Sequence, residues 1–199
     1  MTVRIRPAQL FDAGFAAPLI QSTIGAIGRA LTGTATDEDA AHVLAEFFPL
    51  RGHRLSFTHT LIAEVGGQPA GLLVAYPGEF AADLDEPFRH HLRAIGQPGV
   101  TEPEGQAGEL YVDTLAVSPD RRGQGVGGAL LHSAALRAQN LGLPRLGLLS
   151  EADNPAMRLY ARQGFRAAGE RTVSGIRFIH LIRELSPEPA ASPSVEAGC

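Results

Sequence analysis

Residues 115–131 read LAVSPDRRGQGVGGALL, and no other stretch restricts the fold of this chain as tightly. An apolar run stops at Ser118-Pro119-Asp120, Arg121 and Arg122 follow, and glycines stand at 123, 125, 127 and 128 before a helical pattern begins. Glycine accepts positive φ and leaves room for close backbone approach. Such a turn points several N–H groups at one place, at the positive end of a helix, which makes an anion site suited to a phosphate or pyrophosphate. The helix dipole adds only about 0.3–1 kcal/mol at an exposed site. The glycines matter more, and Arg121 and Arg122 bring charge that can pair with phosphate.

The elements around this loop follow from periodicity. Val3 and Ile5 alternate with polar neighbours and predict a short first strand. Leu10, Phe11, Phe15, Leu19, Ile20, Ile24, Ile27 and Leu31 are spaced along one face of a helix, weakened at Gly25, Gly28 and Gly33. Thr36 with Asp39 resembles a capping box for a second helix burying Ala40, Val43, Leu44, Phe47 and Phe48, stopped by Pro49. Residues 60–76 are two apolar runs about Gly66-Gly67, a hairpin signal. The segment 77–108 is richer in Pro and Gly and reads as an insertion or loop with a short helix over 84–95. Beyond it come a buried strand at 109–117, a helix at about 127–141 with Leu130, Leu131, Ala134, Ala135 and Leu136 inside, and a strand at 145–149. A helix over 155–163 capped by Gly164, then strands at 165–169 and 176–182, complete the pattern. The order β-α-α-β-β, insertion, β-α-β-α-β-β is a mixed α/β arrangement with a central mixed sheet flanked by helices.

A chain of 199 residues fits one domain, here 1–185, with a tail over 186–199 that lacks a core-forming pattern and reads as disordered. It can bury about 70% of its unfolded surface, so its core needs no crosslink. The lone cysteine, Cys199, excludes an internal disulfide and a cysteine zinc site, and no metal motif is present. The net charge of −4 argues against a nucleic-acid binder. The start lacks a signal-peptide run and no stretch is long enough to span a membrane, so a cytoplasmic protein is expected.

Three ligands suit the glycine loop. A nucleoside triphosphate needs GxxxxGK[ST], which is absent. A dinucleotide uses GxGxxG, which Gly123, Gly125 and Gly128 match, with Glu151 at about the right distance. Here, however, Ser118–Arg122 separates strand from glycines. The third is coenzyme A. RRGQGVG after LAVSPD resembles the pyrophosphate loop of the GNAT superfamily of N-acetyltransferases, with Arg122, Gly125 and Gly127 at its defining positions. DNPAMRLYARQGF resembles the second motif of that family through Asn154, Leu159, Tyr160, Gly164 and Phe165. Asn154 lies six residues before Tyr160, where many relatives have seven, and Asp153 holds the seventh place.

The resemblance implies an acetyl-CoA-dependent N-acetyltransferase, with acetyl-CoA as co-substrate and no metal. Its cofactor site would comprise Leu115, Ala116, Val117, Arg121, Arg122, Gly123, Gln124, Gly125, Val126, Gly127, Gly128, Asn154 and Tyr160, in a gap where strand 109–117 splays from 145–149. Backbone groups of Leu115 and Val117 would pair with the pantetheine arm. Tyr160 stands at the family's acid position. Glu109, Tyr111 and Asp113 share one face of a strand, where they would meet the substrate amine, and Asp113 is the candidate base. A regular strand would put Leu115 and Val117 on that face too, and a bulge would alter this. The expected acceptor is a primary amine, a small molecule rather than a protein, and the partners allow a homodimer but no nucleic acid or membrane. The alternatives are a coenzyme A-binding module without turnover and a dinucleotide-binding protein.

Overall fold

The computed structural model describes residues 2–185, so the tail expected over 186–199 and Cys199 lie outside the described residues. Seven strands form one sheet in the order β1-β2-β3-β4-β5-β7-β6. They are β1 (Val3–Pro7), β2 (Thr60–Val65), β3 (Gln68–Pro77), β4 (Leu110–Val117), β5 (Arg145–Ser150), β6 (Arg166–Val173) and β7 (Ile176–Glu184). All neighbours are antiparallel except β4 and β5. This is the mixed α/β sheet expected, with β6 ending four residues beyond its sequence pattern.

The first amphipathic stretch forms two helices, α1 (Ala13–Ile24) and α2 (Ala26–Thr32), which break at Gly25 with a bend of 118°. Leu10 and Phe11 precede α1 in a short 3-10 turn and are exposed, which departs from the helical face expected of them. Helix α3 (Asp37–Phe47) is capped as its sequence implies: the Asp39 N–H donates to Thr36 Oγ1 at 3.1 Å, and that hydroxyl donates to the Asp39 carboxylate at 2.6 Å. The β2–β3 hairpin turns at Gly66-Gly67, both with positive φ. The insertion holds two helices, α4 (Ala81–Leu84) and α5 (Glu86–Ala94), and then an irregular strap over 95–109.

Helices cover both faces of the sheet. On one, α6 (Val126–Asn140) buries Leu130, Leu131, Ala134, Ala135 and Ala138 against Leu73, Leu110, Val112, Leu146 and Leu148, and α7 (Met157–Arg162) joins them through Tyr160. Leu136 is exposed, because the buried stripe of α6 runs on to Ala138 instead. On the other face Ala16, Ala17 and Ile20 of α1, Leu31 of α2, Leu44 of α3 and Phe88 of α5 pack on Ile62, Leu72 and Val74. Among the described residues no single helix is long and apolar enough to cross a membrane.

Candidate active site

Two departures from regular pairing shape the site. In β4, Val74 of β3 faces Thr114 and Ala75 faces Val112, so Asp113 is an extra residue without a partner on β3. This bulge changes the phase of the strand. Leu110 and Val112 face α6 before it, and Leu115 and Val117 face α6 after it, while Tyr111 and Ala116 pack on the opposite side. The bulged alternative is therefore the one realised, and Leu115 and Val117 do not share a face with Tyr111. Secondly, β4 and β5 pair only at Leu110↔Leu146 and Tyr111↔Gly147. Beyond Tyr111 the strands part, which opens the expected gap.

The rest of β4 offers its backbone to that gap. The Ser118 N–H donates to Ala70 O on β3 at 2.9 Å. Alternation along the strand then turns the polar groups of Val117 and Leu115 away from β3. The Ala116 carbonyl lies against Gly71 of β3, so the backbone of Ala116 belongs to the sheet. At the wide end, Gly123 (φ 73°) and Gly125 (φ 80°) bring the chain into α6, with Gly125 as its N-cap. Added side-chain atoms would meet open space there, so it is backbone conformation that demands glycine. Among the described residues, no acceptor takes the N–H groups of 123–128. Backbone donors left in this way need an outside partner, and they fit a pyrophosphate. Arg121 pairs with Asp120 at 3.1 Å, Arg122 Nε donates to Val117 O at 3.3 Å, and Gln124 Nε2 donates to Asp120 O at 3.1 Å. Val126 is buried in the core, and Gly127 and Gly128 lie under Leu159 and Gln163, which seats α7 on the start of α6.

Asn154 closes the turn that leads into α7, its Oδ1 accepting from the N–H of Ala156, the N-cap of that helix, at 2.8 Å. Tyr160 packs edge-on to Phe165 with ring centroids 5.8 Å apart. Burial pushes its phenol up to about 12, and its hydroxyl bonds to no group among the described residues. Tyr160 sits on the α6 face of the sheet and Tyr111 on the opposite face.

The carboxylates of β4 are more enclosed than their pattern suggested. Glu109 is fully buried, lies over Gly147, accepts from the Gln106 N–H at 3.0 Å and is bonded to His180 Nε2 at 3.0 Å. Tyr111 donates its hydroxyl to Glu104 at 2.8 Å, and burial, then Glu104, pushes its phenol up. Both side chains therefore have protein partners at the place where a substrate contact was expected. Asp113, with a side chain 1% exposed, meets Arg54: Nε donates to Oδ2 at 2.6 Å and Nη2 at 2.5 Å. Tyr76 also donates to that oxygen at 3.0 Å, and the Thr114 hydroxyl donates to Oδ1 at 3.1 Å. Arg54 is 3% exposed, lies 3.5 Å from Asp85 and pairs with Glu104. Burial would lower its pKa, but Asp113, Glu104, Tyr76 and Asp85 together raise it well above the ordinary value and keep it charged. Sequence reasoning missed Arg54, Tyr76, Asp85 and Glu104, since nothing in RGHR or in the insertion marks them.

Comparison with known proteins agrees with this geometry. Residues 28–165 match the model of the acetyltransferase (GNAT) family. The chain is 45% identical over 89 residues to a mycothiol acetyltransferase of Jonesia denitrificans, a match covering 44% of this chain and 26% of that protein. The mycothiol acetyltransferase of Geodermatophilus obscurus is 36% identical over 104 residues, covering 52% and 31%. The chain thus spans about a quarter to a third of the length of these relatives. Among solved structures, the crystal structure of an acetyltransferase superposes with a TM-score of 0.72 at 30% identity, covering 92% of this chain and 100% of the other. With its splayed strands, its glycine loop and this family match, the chain belongs to the GNAT family of N-acetyltransferases.

Proposed function

We propose that this protein moves an acetyl group from acetyl-CoA to a small-molecule primary amine in the cytoplasm. The observation that carries the proposal is the row of unmatched N–H groups at 123–128, placed where the gap between β4 and β5 is widest. The loop, with Arg121 and Arg122 beside it, holds the pyrophosphate. Leu115 and Val117 extend their backbone toward the pantetheine arm. Asn154 shapes this site through the turn that leads into α7. That the curated relatives are named for mycothiol, not for a protein, supports a small acceptor.

Bound acetyl-CoA supplies an acyl group activated as a thioester. The chain manages the protons. A lysine-like ammonium has a pKa of about 10.4, so freeing its lone pair at pH 7 costs about 4–5 kcal/mol. Asp113 takes that proton. Its Oδ2 is filled by Arg54 and Tyr76, whereas Oδ1 receives only the Thr114 hydroxyl among the described residues and keeps a lone pair. As the carbon–sulfur bond breaks, Tyr160 gives its hydroxyl proton to the sulfur, and the second proton of the acceptor nitrogen returns to the phenolate. Glu109 and Tyr111 support this strand from beneath.

Calorimetry tests the proposal, with NAD as control, followed by thiol release with spermidine, L-lysine and glucosamine. Acetyl-CoA binds in the micromolar range, NAD does not, and Gly125→Glu abolishes binding in a protein that still melts cooperatively. Equal acetyl-CoA affinity in wild type and Gly125→Glu refutes the loop assignment. Tight binding without thiol release from any amine favours a module without turnover.

A further inference from the structure

Arg54 does more than neutralise a buried carboxylate. It lies 59 residues before Asp113 and 50 before Glu104, and its guanidinium ties the bulge to the strap carried by the insertion. The strap crosses from the end of α2 to the β6–β7 hairpin. Gln97 Nε2 donates to Gly33 O at 2.8 Å, the Ser174 N–H donates to Glu102 at 2.9 Å, and Arg171 donates to the carbonyls of Pro103, at 3.0 Å, and Glu104. Under it lies a gap of about 30 Å³ lined by Ile27, Leu31, Arg54, Glu104 and Val173. That space holds about one water, so an acceptor entering from this side must displace the strap.

Glu104 and Asp113 share the same Nη2 of Arg54. A guanidinium is a rigid planar fork, so a shift of Glu104 moves the donors that fix Asp113. We propose that Arg54 is a positioning residue: it holds Asp113 by Oδ2, leaves Oδ1 to take the acceptor's proton, and ties that aim to the seat of the strap through Glu104. The inference rests on the acetyltransferase proposal with Asp113 as proton acceptor. A lysine at 54 keeps the charge but has one nitrogen, which cannot present separate Nε and Nη2 donors.

The test uses full-length wild type, Arg54→Lys and Glu104→Gln. Three quantities are measured: hydrogen exchange over 97–106, acetyl-CoA affinity by calorimetry, and amine-dependent thiol release with whichever of spermidine, L-lysine or glucosamine wild type accepts. Charge-assisted bonds of this kind set the scale. In Arg54→Lys, exchange over 97–106 speeds up about tenfold or more and kcat falls about tenfold, while acetyl-CoA affinity stays within about twofold. Glu104→Gln keeps the shape of the side chain and shows smaller changes in the same directions. If Arg54→Lys does not fold, Glu104→Gln decides alone. Faster strap exchange with unchanged kcat overturns the positioning role and leaves a structural one. Unchanged exchange in both variants overturns the link to the strap. If wild type neither binds acetyl-CoA nor releases thiol, it is the acetyltransferase proposal that fails, and the proton-aiming role falls with it; the exchange data still decide the link.

Discussion

Gly147→Ala should be among the most damaging single-methyl changes in the sheet. A β-carbon at 147 would stand 2.0 Å from Glu109 Oε2, 2.3 Å from its Cδ and 2.7 Å from Oε1. The carboxylate has nowhere to go, because it is fully buried and held by His180 and by the Gln106 N–H. Moving it breaks two bonds to a charged group, each worth about 1.5–3 kcal/mol. Alanine returns about 0.5–1 kcal/mol through a less flexible unfolded chain. The net loss is about 2–5 kcal/mol, a large part of the roughly 5–15 kcal/mol that holds a domain together. In urea, with a slope of about 1–3 kcal/mol/M, the midpoint should fall by about 1–5 M. Glu109→Ala removes the clash, so Gly147→Ala should cost less than about 1 kcal/mol in that background, and the double-mutant cycle should show strong coupling. A loss below about 1 kcal/mol in the wild-type background, or additivity in the cycle, refutes the idea that Gly147 is glycine to make room for Glu109.

Tyr160→Phe should lower kcat about a hundredfold or more and leave acetyl-CoA affinity unchanged; full turnover would remove the acid role. Because burial pushes this phenol up to about 12, it stays protonated at neutral pH, and the wild-type rate profile should lack a basic limb from Tyr160 below about pH 10. Burial, helped by Arg137 and His53, pushes His59 down to about 4, against about 6.5 in an unfolded chain. The unfolded chain therefore takes up the proton first, and stability drains away as pH falls from about 6.5 to about 4. For this partly exposed ring the loss is on the order of 1–2 kcal/mol. His59→Gln should flatten that part of the stability curve, and an unaltered slope would clear His59 of the effect. Thr36→Ala should cost about 0.5–2 kcal/mol in chemical unfolding through loss of the α3 cap; no change would mean that Asp39 needs no partner there.

What could be read from the sequence was what neighbours in sequence decide. The glycine loop, the Thr36 cap and the Gly66-Gly67 turn are local, and each appears where its residues placed it. The break between α1 and α2 at Gly25 is of the same kind. The bulge at Asp113 depends on register with β3, so no pattern within β4 could locate it. Arg54, Asp85, Glu104 and Asp113 come from four separate segments, and only the packing of the insertion against the sheet brings them together. The Glu109–His180 pair likewise needs β7 to lie beside β5. Leu136 is a failure of another sort: it is out of phase with the stripe Leu130, Leu131, Ala134, Ala135 and Ala138, which the helical period alone sets.

The two residue pairs between β4 and β5 also bear on how the molecule comes apart. The sheet is in effect two plates, β1 to β4 and β5-β7-β6, spliced by those two rungs, by the apolar side of α6, by the Glu109–His180 pair and by the strap's bonds to Arg171 and Ser174. Beyond Tyr111 the seam carries no strand pairing among the described residues, so a sub-global opening is expected to start along that stretch. On the function proposed above, acetyl-CoA threaded along the seam would act as the missing rungs. At a hundred times its Kd it would add about 2.7 kcal/mol, and it would add that along the unpaired stretch. Loading the co-substrate would then do mechanical work as well as chemical work, tying the two plates into one sheet that melts as a unit.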